Sequence, residues 1–253
     1  MFRTRIIIHV IMDTNNKKGL AMDLKEHARE QALKAMNFRY AAREYDGTKK
    51  VDSNDLHTVL EAGRLSPSSF GFEPWKFLVL DVTDGASDKA KQLKEQLAPY
   101  LWGAKGVLAN GSYLIIILGR KNVRYDSAYI EHMMRDIQQL PAEIAESRRS
   151  ALENFQKNDC HTADNPEALF DWSARQCYIA LANMMTTAAF LRLSTLPVEG
   201  FDQGNVARVL ADGGYLGTDG TEFGVAVMMG IGYGKPAKHT KTRQPMCDIV
   251  QMV

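Results

Sequence analysis

The segment GIGYGKP, residues 230–236, combines closely spaced glycines with a lysine and could bind a nucleotide phosphate. A Walker loop needs four residues between its glycines and then Lys followed by Ser or Thr. Here three residues separate Gly230 from Gly234, and Pro236 follows Lys235. A dinucleotide fingerprint needs a helix at this point, and a basic coil follows instead. The segment therefore indicates glycines at the end of a strand, where backbone can approach closely.

Potential nucleophiles and metal ligands are present but are not arranged for either chemistry. Ser66 and Ser68 flank Pro67 without a G-x-S-x-G elbow or identifiable His and Asp partners. The three cysteines include no C-x-x-C pair, and the six histidines include no H-E-x-x-H. The sequence therefore disfavours nucleophilic hydrolysis and predicts no metal site. Widely spaced, unpaired thiols favour a reducing, cytoplasmic location.

Two separated pairs of basic side chains remain as candidates for binding. Arg39 and Arg43 lie four positions apart after the first predicted helix, and Lys241 and Arg243 lie two apart in the C-terminal tail. Taken alone, each pair is also what a solvated surface shows. The residues themselves leave both interpretations open.

The elements that must position these residues follow from the hydrophobic spacing. The run SYLIIILG, 112–119, is typical of a strand buried on both faces, so we expect a central sheet covered by helices. Further strands are predicted over 75–82 and 223–231. The predicted helices cover residues 23–37, 53–66, 86–97, 126–158, 166–192 and 206–210. Strands and helices do not alternate regularly, which favours a single α+β domain.

Two of these helical regions differ in character. The stretch CYIALANMMTTAAFL, within 166–192, is apolar or small on almost every side. Such a helix lies at the centre of a core or of a dimer interface. Residues 126–160 are rich in charge, and we expect a solvated helical insertion or lid there.

Composition limits the partners. The chain has 253 residues with 31 basic and 30 acidic side chains, a formal net charge of +1. Binding to duplex nucleic acid or to an anionic membrane normally requires a marked basic excess, so neither partner is expected. No uncharged apolar stretch approaches the roughly 18 residues of a transmembrane helix.

Residues 1–22 are expected to be an N-terminal extension. The apolar run 6–12 imitates a signal peptide, but it is short and lacks a cleavage site. We expect a disordered or mis-assigned start, with Met12 or Met22 as the natural first residue, or an ordered extra strand.

Four segments, in this order, resemble the successive signatures of the FMN-dependent nitroreductase family. They are FRYAAREYD (38–46), LEAGRLSPSSFGFEPWKFLVL (60–80), WSARQCYIALANMMTTAAFLRLSTLPVEGFD (172–202) and GIGYGKPAKHTKTRQP (230–245). The resemblance implies one domain over 23–253, similar to oxygen-insensitive NAD(P)H nitroreductases, with the insertion at about 126–160. It implies an α+β homodimer with a mixed or antiparallel central sheet flanked by helices. The long apolar helix would cross the two-fold axis, and the C-terminal tail would be swapped onto the partner.

The resemblance also implies two FMN molecules at the dimer interface. Arg39, Lys241 and Arg243 would approach the phosphate and ribityl chain through charge-assisted hydrogen bonds. Arg43 would lie near N1 and O2 of the isoalloxazine, where a cation stabilises reduced flavin, and would also face the substrate. The other implied flavin contacts are Tyr40, Ala41, Pro67, Ser68, Ser69, Gly71 and the backbone N–H groups of Glu199 and Gly200.

The chain departs from the family pattern at several of these positions. Ala41 stands where many relatives have a serine, so a hydroxyl contact to phosphate is missing. Gly71 and Glu73 replace the usual Asn and Gln. The Asn usually found before the central strand is also absent, because Gly103 or Ala104 aligns there. These changes affect the flavin contacts and the choice of substrate.

Two further residues are candidates for substrate contact. Glu73 would repel anionic substrates, or would pair with Arg64 or Lys76 as part of the structure. Phe155, in the insertion, would stack on bound substrate, or would be a helix-packing residue.

The resemblance implies an FMN-dependent NAD(P)H oxidoreductase of the nitroreductase or quinone reductase type. Hydride would pass to FMN from NADH or NADPH and then, in a ping-pong cycle, to a nitroaromatic or quinone. No side chain need act as nucleophile or base, because the flavin carries the chemistry. One alternative is an enone or pterin reductase of the same family. Another is an FMN-binding protein for redox sensing or flavin storage without efficient turnover.

Overall fold

The computed structural model describes residues 14–253, with side chains from residue 23 onward. The predicted leader or strand over 6–12 lies outside the described residues. Helix α1 spans Thr14–Phe38, so it begins before the predicted residue 23. The other helices are α2 (Ser53–Arg64), α3 (Asp88–Leu97), α4 (Lys105–Asn110), α5 (Ala128–His132), α6 (Ala142–Asn154), α7 (Pro166–Phe190), α8 (Gln203–Asp212) and α9 (Met246–Ile249).

Four strands form one antiparallel sheet. They are β1 (Trp75–Asp81), β2 (Tyr113–Arg120), β3 (Ser194–Val198) and β4 (Phe223–Gly232), in the order β1-β2-β4-β3. Three of them confirm predicted strands. The fourth, β3, was missed, because it is a short edge strand that contains a proline, with Pro197 opposite Met229 of β4.

The central strand β2 is covered on both faces. Its residues 114–118 are all fully buried, and successive side chains of a strand point to opposite faces. Ile116 belongs to the core that includes α3 and α8 on one face, whereas Ile115 and Ile117 belong to the core formed with α7 on the other. The prediction of a central sheet covered by helices is therefore confirmed.

Helix α7 begins where the sequence predicts. The side chain of Asn165 accepts hydrogen bonds from the backbone N–H groups of Glu167 and Ala168, each at 3.1 Å. Pro166 occupies the first turn, where its missing N–H costs nothing. This cap fixes the start of the helix that lies at the centre of the fold.

The insertion has a buried side of its own. Helices α5 and α6 each continue into a π-helical turn, Met133–Ile137 and Phe155–Asp159. Their apolar side chains form a third core together with Phe72 and Trp172. The expectation of a solvated insertion is therefore wrong for this inner side, which packs against the segment before β1 and the start of α7.

Candidate functional site

Three of the predicted phosphate contacts lie together at the end of α1. The Nζ of Lys241 donates hydrogen bonds to the backbone carbonyls of Met36 and Arg39. Burial, followed by the charges of Arg39 and Arg243, lowers the pKa of Lys241 below its ordinary value. The C-terminal tail thus carries two cations to a third that follows α1.

Arg43 lies on a segment that is fixed by backbone pairing on two sides. The N–H of Ala42 donates to the carbonyl of Thr195 in β3 at 3.1 Å, and the N–H of Lys235 donates to the carbonyl of Glu44 at 2.9 Å. A cavity of about 340 Å³ lies beside this segment and is lined by Tyr40, Ala41, Arg43, Glu44 and residues 235–239. Two remote stretches of sequence therefore hold Arg43 in place.

A second cavity, of about 460 Å³, joins Arg43 to the predicted contacts Glu199 and Gly200. Its remaining wall comes from residues 102–106 and 196–198. The N–H of Gly103 donates to the carbonyl of Gly200 at 2.7 Å. The structure thus brings Arg43 to the same place as residues 199–200, as the family resemblance implied.

Close backbone approach explains the glycines of this cavity. A Cβ on Gly106 would lie 1.8 Å from the carbonyl oxygen of Arg43. A Cβ on Gly103 would lie 2.9 Å from the carbonyl oxygen of Gly200, and one on Gly200 would lie 2.8 Å from Nε1 of Trp102. No side chain larger than hydrogen fits at Gly106 unless the segment around Arg43 moves.

Lys105 is a further cation of this cavity, and the sequence motifs did not predict it. Its signal was the segment WGAKG, which was interpreted only as a place where the family asparagine is absent. Among the side chains that the structure describes, no carboxylate lies within 4.0 Å of Lys105, Arg43, Arg39, Lys241 or Arg243. Together with residues 199–200, these five cations form what we call the basic part of the site.

Glu199 is held from helix α7. Its carboxylate accepts a hydrogen bond from the hydroxyl of Tyr178. Burial, followed by this contact with Glu199, raises the pKa of Tyr178 above its ordinary value, so the hydroxyl stays protonated and remains a donor. Glu199 is therefore fixed by α7, while the neighbouring Gly200 is fixed by Gly103.

The predicted contacts from Pro67 to Glu73 lie elsewhere, and we call residues 67–73 the loop part. The N–H of Ser69 donates to Oε1 of Gln176 in α7 at 2.9 Å. Gln176 and Tyr178 are two positions apart, so they point about 200° apart around the helix. Neither cavity that contains Arg43 includes a residue of the loop part. A single chain therefore presents the two parts on different sides of α7.

The two proposed substrate residues, Glu73 and Phe155, both belong to the side of the loop part. Glu73 lines a cavity of about 620 Å³ beside β1. The suggested pairing with Arg64 is not formed, because Arg64 pairs with Glu61 at 2.6 Å. No described cation, Lys76 included, lies within 4.0 Å of the Glu73 carboxylate.

Phe155 packs against the loop part. Its ring centroid lies 5.7 Å from that of Phe70, with the two rings tilted by 60°. Phe70 in turn stacks on Phe72, with centroids 5.6 Å apart. Of the two roles considered for Phe155, the structure shows the packing contact.

Two absences bear on the chemistry. Among the described residues, no group of three or more His, Cys, Asp or Glu side chains is placed to hold a metal ion. Within the same part of the chain, no helix is both long enough and apolar enough to cross a membrane.

Solved structures share this fold. A nitroreductase structure from Exiguobacterium sibiricum, determined in complex with FMN, superposes with a TM-score of 0.66 at 21% identity, over 87% of this chain and 96% of that one. An NAD(P)H:FMN oxidoreductase structure from Staphylococcus epidermidis gives 0.68 at 20% identity, over 88% and 95%. These likenesses define the class of fold, an α+β nitroreductase fold, and confirm the predicted fold class.

The family model described as "Nitroreductase family" matches residues 36–233, and the chain belongs to this family. A Bacillus subtilis relative, "Putative NAD(P)H nitroreductase YfkO", is 40% identical over 225 residues, 88% of this chain and 97% of the relative. A Staphylococcus haemolyticus relative with the same functional name, SH0546, is 43% identical over 224 residues, 88% and 98%. The predicted family is confirmed, and the predicted enzyme class, an NAD(P)H-dependent oxidoreductase, is the class named for these relatives.

Proposed function

We propose that this protein is an FMN-dependent NAD(P)H oxidoreductase that reduces nitroaromatic or quinone acceptors. The observation that carries the proposal is the basic part, where cations from both ends of the chain converge with no described carboxylate to neutralise them. Such a cluster is costly unless an anion joins it. The family membership and the FMN-containing structure of the same fold indicate which anion that is.

The residues present fit FMN. Arg39, Lys241 and Arg243 would hold the phosphate, since guanidinium and ammonium donors form charge-assisted hydrogen bonds with its oxygens. Arg43 and Lys105 line the cavity next to them, where positive charge would favour a reduced, anionic ring system. The glycine-lined wall allows a flat group to approach the backbone closely.

When bound, FMN would supply hydride transfer between a nicotinamide donor and the acceptor. The chain's own contribution is binding and orientation, because donor and acceptor must occupy the same place in turn. No described side chain is required as a nucleophile or as a metal ligand. Geometry of this kind lowers the barrier by holding reactants at reacting distance.

We propose that the site is completed in a homodimer. The basic part and the loop part lie on different sides of α7, so one flavin could contact both only if a second copy supplies one of them. Exposed apolar side chains provide a surface for that copy: Leu33 is 64% exposed, Leu65 65% and Phe190 49%. The exposed tail around α9 would reach the partner, as the family resemblance implied.

Substitution of Arg243 tests the phosphate contact. Arg243→Ala should weaken FMN binding by about 1.5–3 kcal/mol, because a hydrogen bond to a charged group is lost. Arg208→Ala on α8, where Arg208 contacts only Asn205 by hydrogen bond, is the matched control. Fluorescence titration of flavin-free protein measures both, and wild-type affinity in Arg243→Ala would refute the assignment.

Turnover separates the enzyme from its alternatives. The purified protein should be yellow and should oxidise NADH or NADPH with menadione or nitrofurazone as the acceptor. Bound FMN that takes up no hydride from either nicotinamide would instead indicate flavin storage or redox sensing. An enone reductase named CLA-ER has the same fold, with a TM-score of 0.66 at 16% identity. Enones therefore belong among the acceptors to be assayed.

A cytoplasmic location is part of the proposal. All three cysteines are free, and Cys160 and Cys247 are exposed. Exposed free thiols are typical of a reducing compartment.

A further inference from the structure

The loop part has an unusual backbone. Phe70, Gly71 and Glu73 have φ angles of 58°, 67° and 46°. Left-handed conformations are readily adopted by glycine but are strained for phenylalanine and glutamate, and they persist only where surrounding contacts enforce them. The structure must therefore contain groups that hold this loop.

Those groups are two side chains of the insertion, Gln138 and Tyr129. The four carbonyls of residues 70–73 all face them. Gln138 Nε2 donates to the first two, at 3.1 and 2.8 Å. The Tyr129 hydroxyl lies 2.7 and 2.9 Å from the last two and donates its proton to one of them at a time. The insertion thus satisfies every carbonyl of the strained stretch.

Gln138 is itself oriented. Arg148 Nη1 donates to its Oε1 at 2.8 Å, which turns the Nε2 donor toward the loop. The N–H of Gln138 donates to the carbonyl of Met133 at 2.8 Å and closes the π-helical turn. A Cβ on Gly71 would lie 3.2 Å from Gln138 Nε2. Gly71, which replaces the family's usual asparagine, therefore leaves the space in which Gln138 lies.

Tyr129 is fixed by stacking. The guanidinium of Arg120 lies 4.0 Å from the ring centroid of Tyr129 and 4.4 Å from that of Phe223. Arg120 also pairs with Glu222. Burial raises the pKa of Tyr129 to about 12, so its hydroxyl remains a donor through the neutral range.

We propose that Gln138 and Tyr129 are positioning residues, which hold the loop part in the conformation that contacts bound FMN. In this chain the insertion replaces, with hydrogen bonds to backbone carbonyls, the support lost where Gly71 stands for asparagine. The inference rests on the proposed function, because it assumes that the loop part meets the flavin. The hydrogen bonds themselves do not depend on it.

The test compares Gln138→Met and Tyr129→Phe with Tyr125→Phe, a tyrosine of the same region with no hydrogen bond to the loop part. In flavin-free protein, amide exchange of residues 69–74 should become about fivefold faster in the first two variants only. Their FMN dissociation constants should rise by a similar factor, with unchanged melting temperature and a shifted visible spectrum of the bound flavin. Should Tyr129→Phe fail to fold, Gln138→Met decides alone.

A double-mutant cycle adds a sharper test. Gly71→Asn should weaken FMN binding in the wild type, because the new side chain meets Gln138, and should be better tolerated when combined with Gln138→Ala. Additive effects would overturn the proposed substitution of one support for the other.

The outcomes separate the two proposals. A wild type that binds no FMN contradicts the proposed function and removes the flavin role of the two residues, whatever the exchange rates show. A wild type that binds FMN, with variants that keep both its affinity and its loop protection, overturns the positioning role alone.

Discussion

The two parts of the site are held by different means. In the basic part, the segment around Arg43 is fixed by backbone hydrogen bonds to β3 and to the tail, and its cationic side chains have no described carboxylate partner. In the loop part, backbone carbonyls point outward and are held by side chains from the insertion. The first part presents charge on a rigid frame, whereas the second presents backbone that is only as ordered as its supports. Changes to the frame should therefore affect stability most, and changes to the supports should affect the loop alone.

The largest effect is expected from Gly106→Ala. Its Cβ would lie 1.8 Å from the carbonyl oxygen of Arg43, so the frame must move. We expect the free energy of unfolding to fall by about 2 kcal/mol. FMN affinity should also fall, because Arg43 and residues 199–200 share this wall. Urea unfolding and flavin titration measure the two effects.

Gly204→Ala is the matched control, because Gly204 is likewise the second residue of a helix. A Cβ there meets nothing closer than Oδ1 of Asp202, at 3.6 Å. Its unfolding free energy should be unchanged or raised by less than about 1 kcal/mol, since alanine favours a helix over glycine. Equal losses in both variants would show that the contact with Arg43 is not what excludes a side chain at Gly106.

A smaller effect is expected from Arg120→Met, which removes the stacking support of Tyr129. Arg120 is largely buried between two rings, so its loss should cost about 1–2 kcal/mol of unfolding free energy. Arg124→Met is the control, because Arg124 stacks on Tyr125 at 4.7 Å and is more exposed. Only Arg120→Met should accelerate amide exchange in the loop part. Equal acceleration in both variants would indicate general loosening of the insertion.

The difference between the two parts also explains what the sequence could predict. Long, strongly patterned elements such as β2 and α7 are predicted because their own residues determine them. The edge strand β3 is not, because its five residues are held mainly by pairing with β4. Family motifs placed Arg43 and Glu199 correctly beside each other. That placement depends on backbone contacts that the motifs themselves encode.

The supports of the loop part could not be predicted. Gln138 is a polar residue in a charge-rich region, and its pattern is that of a solvated helix. Its role depends on carbonyls 67 and 68 positions earlier in the chain, at Gly71 and Phe70. Lys105 was missed for a related reason, because nothing local marks a single lysine as lining a cavity with Arg43.

The smallest effect concerns protons in the basic part. Burial and the charges of Arg39 and Arg243 lower the pKa of Lys241 below its ordinary value of 10.5. Between the lowered value and 10.5, the unfolded chain binds more protons than the folded one, so stability should rise with pH in that window. A bound phosphate has the opposite effect on the folded chain, because it raises the pKa of Lys241. FMN binding should therefore take up a fraction of a proton at alkaline pH, and Lys241→Met should abolish that uptake. Calorimetric titration in two buffers of different ionisation enthalpy measures it. Proton uptake that persists in Lys241→Met would mean that another group of the basic part titrates instead, and that the charge of Lys241 is not what the anion senses.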